Sequence, residues 1–164
     1  MVLGIFLSTF TLLHVIISLA GIGSGFIVTL LNGNRLDGWT TIFLATTVLT
    51  SITGFMFPLE GLKPSYIVGG LSLIVLAIAI WARYGRHLEG AARWIYVVSA
   101  GIALYFNCFV AVVQSFLKIP ALHAMAPTGS EPPFLLAQSV VLAIFTWLTY
   151  RAAKRLNTAP MRTT

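Results

Sequence analysis

From residue 94 to residue 117 the chain reads WIYVVSAGIALYFNCFVAVVQSFL, a run without a single Asp, Glu, Lys or Arg. As a helix it would cross a hydrocarbon core of about 30 Å, which takes roughly 17–25 residues. Four further apolar stretches flank it, at 2–31, 39–57, 66–82 and 134–150. All four acids (Asp37, Glu60, Glu89 and Glu131) fall in the connections between them. Backbone groups in lipid must be satisfied within each segment, so helices are expected. The dyad alternation of a membrane β-barrel is absent.

The whole chain agrees with this reading. It has 164 residues, 58% of them hydrophobic and 9% charged, and its mean hydropathy is +0.94. A soluble domain carries about 25% charged residues, so no water-facing surface can be built from this set. The first stretch lacks a basic leader and continues past Ser18-Leu19-Ala20 to Leu31, so it reads as a retained helix rather than a secretory signal. The fold class expected is all-α: a polytopic integral membrane protein with a five-transmembrane-helix bundle. It forms a single transmembrane domain over 1–157, followed by a short tail at 158–164.

Basic residues give the bundle a direction. Arg35, Arg83, Arg86, Arg93, Arg151, Lys154, Arg155 and Arg162 follow the first, third and fifth stretches, whereas Lys63 and Lys118 lie on the other side. That asymmetry predicts the N-terminus outside and the C-terminus in the cytoplasm of a cell membrane, in the manner of a bacterial inner membrane. Trp39, Trp81, Trp94 and Trp147 fall at the same cytoplasmic ends, where interfacial anchors belong. The outer connections hold Pro58, Pro64, Pro120, Pro127, Pro132 and Pro133. Proline fixes φ and removes a donor, so these loops are expected to be stiff and non-helical. The connection at 118–133 is long enough to suggest a lid or binding loop.

Several function classes fall away. The formal charge of +6 is spent on loops and tail, with no basic stripe interleaved with aromatics, so no nucleic-acid partner is expected. Cys108 stands alone and cannot form a disulfide within the chain. No phosphate loop, nucleophile elbow, zinc-site spacing or intramembrane carboxylate pair is present, and an enzymatic role is not expected.

The polar residues inside the apolar stretches carry the functional argument, because each is expensive in lipid without a partner or a cavity. In the first stretch Gly4, Ser8, Thr11, His14, Ser18, Gly21 and Gly25 share one helical face, with Gly21-x-x-x-Gly25 a packing form. His14 can bond a neighbouring helix, ligate haem or metal, or relay protons. In the fourth, Asn107, Gln114 and Lys118 share a face climbing outward, and Gln138 lies near the depth of Gln114. Alternating chain direction puts Asn107 near the depth of His14. Thr47, Ser51 and Gly54 form a face on the second stretch. His123 and Met125 in the outer loop have the spacing of a weak soft-metal pair, near Glu60, Lys63, Lys118 and Glu131.

If these faces converge they outline an outward-opening polar cleft with His14, Asn107, Gln114, Gln138 and Lys118 as ligand-binding residues. Binding or transport of a small neutral or lipid-like molecule is the leading expectation. One alternative is a redox protein associated with quinone or haem through His14, although nothing requires either cofactor. The other is an accessory subunit of a larger membrane complex. Expected partners are membrane lipids, a second copy of the chain or that larger complex.

Overall fold

The computed structural model describes residues 6–30, 37–57 and 64–158. Within them the chain is helical, with no strand among the described residues. Its elements are α1 (Leu7–Leu30), α2 (Asp37–Phe55), α3 (Pro64–Ile80), α4 (Ala92–Lys118), α5 (Pro120–Met125) and α6 (Pro132–Thr158). Four helices are long and apolar enough to span a bilayer: Leu7–Leu30, Tyr66–Gly85, Ala92–Lys118 and Pro132–Arg155. By length and composition this is a multi-pass helical membrane protein. Helix α2 is less apolar because Thr40, Thr41, Thr46, Thr47, Thr50, Ser51 and Thr53 crowd its 19 residues. The readings that fall on residues 1–5, 31–36, 58–63 and 159–164, among them Gly4, Arg35, Pro58, Glu60, Lys63 and Arg162, lie outside the described residues.

Helix α4 is the hub: it packs against α1, α2, α3, α5 and α6. Small residues let its neighbours approach. A Cβ on Gly25 would stand 2.5 Å from Leu104 Cδ1 and 2.9 Å from the Phe43 ring, and one on Gly101 would overlap the Thr149 side chain. In a bilayer such close backbone contact replaces the hydrophobic drive that lipid removes. Side by side with α2, α1 runs antiparallel almost end to end: Phe10 meets Phe57 edge-on at 5.0 Å, and Gly25 meets Phe43.

The core is concentrated at one end. Phe43, Leu44, Leu76, Ala79, Ala82, Ala92, Tyr96, Ala103 and Leu104 are buried together. They lie in the half of the bundle where α1 ends, α2 begins, α3 ends and α4 begins, reaching to mid-helix in α4 at Ala103 and Leu104; we call this the lower end. The upper end, marked by Phe10, Phe57, Lys118 and Phe134, contributes few buried side chains among the described residues.

Two local features depart from the expected connections. Pro120 opens the short helix α5, so this loop is partly helical rather than wholly non-helical. A proline at the first helical position gives up a donor the helix would not use, and its φ is already helical. At the lower end α3 continues as a π-helical turn, Trp81–Gly85. His87 and Leu88 then take left-handed φ values of 49° and 59°. Such backbone is uncommon for residues with a Cβ and is strained for leucine. The turn is held by the Leu88 amide donating to Ala82 O at 3.2 Å and by Arg93 Nε donating to Leu88 O.

Candidate functional site

At the upper end the intramembrane polar groups are half-buried and their hydrogen-bonding capacity exceeds their partners. His14 is part-buried on α1, with Nδ1 2.7 Å from Thr53 Oγ1 of α2. Its ring stands edge-on to Phe57 at 5.2 Å. The Thr53 hydroxyl has one proton and gives it to Leu49 O, 2.7 Å away, one turn back. With that proton on Leu49 O, Thr53 accepts from His14 Nδ1–H, the tautomer in which Nε2 carries the lone pair. No hydrogen bond to another described residue occupies that nitrogen.

Cross-helix contacts set the depths of the other candidates. Asn107 Nδ2 donates to Thr47 Oγ1 at 3.3 Å and lies 3.3 Å from where a Cβ on Gly21 would stand. Leu104 similarly faces Gly25. Helices α1 and α4 run antiparallel, so this register brings Gln114, not Asn107, level with His14. The expected depth match of His14 with Asn107 is corrected by two turns, about 10 Å. A register between helices comes from packing, which segment ends alone do not define. Gln114 repeats the face of Asn107 at seven residues, toward α1 and α2. It is half-buried and hydrogen-bonds no other described residue.

Gln138 stands in a different seam, between α4 and α6, where its Nε2 donates to Phe109 O at 3.2 Å. Its Oε1 is buried without a partner. Lys118 is exposed at the end of α4, one turn above Gln114. His14 and Gln114 thus share a level, Lys118 rims it, Asn107 is lower and Gln138 lies aside.

Above this level the loop is tied by Glu131. Its carboxylate accepts from the amides of Thr128 and Ser130 at 2.9 and 3.0 Å. The Thr128 amide above all holds the acid down, at about 2. His123 and Met125 both lie on α5, where a two-residue spacing turns side chains about 200° apart. They cannot close on one ion, and no group of three metal-ligating side chains occurs among the described residues. The pairing foreseen for them assumed an extended loop.

At the lower end the structure buries a charge that composition had assigned to orientation alone. Arg83 is 7% exposed. Its Nη2 donates to Asp37 Oδ1, and its guanidinium stands 5.4 Å from the Tyr96 ring centre and 5.7 Å from that of Tyr84. Nη1 and the Tyr96 hydroxyl are buried without a full hydrogen-bond partner. Tyr84 in turn bonds Thr41 at 3.1 Å. The signal was present in sequence: Trp-Ala-Arg-Tyr-Gly continues an apolar run with no stop before it, and Asp37 opens the next helix back. This cluster ties the start of α2 to the π turn and to α4, which is a fastening role.

No protein-family model, no curated protein and no solved structure matches this chain.

Proposed function

We propose that the protein binds a small neutral, lipid-like molecule in the outer half of a five-span bundle, between His14 and Gln114. The observation that supports this is hydrogen-bonding capacity that no described residue takes up, at one depth: His14 Nε2 and the Gln114 amide, both part-buried. Lipid tails cannot satisfy such groups, and leaving one bare costs on the order of 1–3 kcal/mol. With His14 Nε2 as the acceptor, the ligand should carry a donor, as in a lipid alcohol. Gln114 can serve a neighbouring acceptor or donor on it. Lys118 would stand at the mouth, beneath the loop tied by Glu131.

The orientation belongs to this proposal. Helix α2 counts as the fifth span because it lies along α1 for nearly its whole length, and the basic residues place the lower end in the cytoplasm. A cysteine at Ser130 should then react with an impermeant maleimide in intact cells and one at Lys154 should not; the reverse would invert the topology. Binding is favoured over transport because the lower end is closed by Phe43, Tyr96 and Leu104. A ligand could leave that way only if this core opened.

Extraction into nanodiscs directly from the membrane, followed by mass spectrometry of the organic extract, tests the reading. Wild type and Gly23→Ala, whose added Cβ meets nothing within 4 Å, should retain one enriched small molecule, whereas His14→Phe and Gln114→Leu should lose it. Equal retention in all four proteins would rule the site out. A haem or an oxidised quinone in the extract would favour the redox alternative.

A further inference from the structure

Helix α6 presents two faces. Phe145, Leu148 and Ala153 are buried, and Thr149 packs against Gly101 of α4. The opposite face forms an open groove of about 620 Å³ lined by Ser139, Leu142, Ala143, Thr146, Trp147 and Tyr150. Small side chains make its floor, while Trp147 and Tyr150 stand 53% and 61% exposed beside it. From Ser139 to Tyr150 the helix rises about 17 Å, close to the ~15 Å depth of one leaflet's hydrocarbon.

The lower end of the groove is basic. One turn beyond Trp147 and Tyr150, on the same face, come Arg151 and Lys154. The Arg151 guanidinium lies over the Trp147 ring at 4.6 Å, which holds it against the groove rather than free in solvent. Neither cation has a carboxylate partner among the described residues. At this end Asp37 is engaged by Arg83, and Glu89 lines a separate hollow with Arg86.

We propose that this face of α6 is a binding site for an anionic glycerophospholipid. One acyl chain lies in the groove from Ser139 to Tyr150, and the headgroup phosphate is received by Arg151 and Lys154. Charge complementarity selects this occupant: an apolar channel one leaflet deep ends in two cations that no described carboxylate pairs, at the height where phosphates lie. Tryptophan and tyrosine at that height are amphipathic interface residues. The site is separate from the His14 level and stands whether or not a ligand binds there.

Native mass spectrometry of the full-length protein, released from nanodiscs of phosphatidylcholine with one-tenth phosphatidylglycerol, reads the preference. Wild type should retain phosphatidylglycerol in excess of its share. Each of Arg151→Gln and Lys154→Gln should weaken that preference about fivefold, the effect of one basic residue near an anionic surface. Arg86→Gln removes an equal charge at the same end and should leave it unchanged. Ala143→Trp fills the groove and should abolish retention while the protein elutes as wild type. Equal losses in Arg86→Gln and Arg151→Gln would reduce the effect to general surface charge and overturn the site. So would a wild-type dimer that Ala143→Trp dissociates, because a second copy would then occupy the groove.

Discussion

Arg83 and His14 illustrate how lipid changes the meaning of a polar side chain. Arg83 reads in sequence as a loop cation that sets orientation and His14 as a polar residue within a span, and both are held by a residue from another helix. The Arg83–Asp37 pair is asymmetric, with side-chain exposures of 6% and 88%. Removing Asp37 leaves a buried cation short of a partner, whereas removing Arg83 leaves a carboxylate that water can reach. Asp37→Ala should therefore cost about 2–3 kcal/mol, while Arg83→Met should be nearly neutral. Denaturation in mixed micelles would decide it, and equal losses would contradict the asymmetry. Glu131 makes a second prediction. Its acid is held at about 2 against an ordinary 4.5, chiefly by the Thr128 amide. A depressed folded value means the turn gains stability above the ordinary value and loses it as pH falls through about 2. Amide exchange at Thr128 and Ser130 should stay protected at pH 4 and accelerate near pH 2. Loss of protection already at pH 4 would contradict the carboxylate's role.

At the scale of elements, the apolar stretches located the long helices because lipid imposes one simple length rule. The finer features were less legible. Helix α5 begins on Pro120, and proline signals either a stop or a start, depending on which side the helix lies. The π turn at Trp81–Gly85 has no composition of its own. The burial of Arg83 did leave a signal, an apolar run continuing through Trp81-Ala82-Arg83, but orientation already explained its charge. Glycines were more informative, although their partners were not. Gly25 faces Leu104 and Phe43, whereas nothing lies within 4 Å of a Cβ on Gly23. Gly25→Val should therefore cost about 1–3 kcal/mol by forcing α2 and α4 away. Gly23→Ala, two residues away, should be neutral or stabilise by up to about 1 kcal/mol. Equal effects would mean that α1 does not pack through this face.

For the whole molecule, the unequal distribution of packing is the feature that bears on function. The lower end is closed by Phe43, Leu76, Tyr96 and Leu104 and fastened by Arg83. At the upper end His14 and Gln114 share a level, and no described residue takes up His14 Nε2 or the Gln114 amide. The basic residues carry an expectation of polarity across the membrane, and composition lists the intramembrane polar groups. Which of them share a level neither shows, because register between antiparallel helices depends on contacts such as Gly21 with Asn107. That register moved Asn107 into the packed half, where it bonds Thr47, and placed Gln114 opposite His14. An experimental map of the protein in native-lipid nanodiscs, at side-chain resolution, tests the proposed site most directly. It should show non-protein density within hydrogen-bond distance of His14 Nε2, extending toward Gln114. A well-ordered His14 whose Nε2 meets only lipid tails or another protein side chain would contradict it.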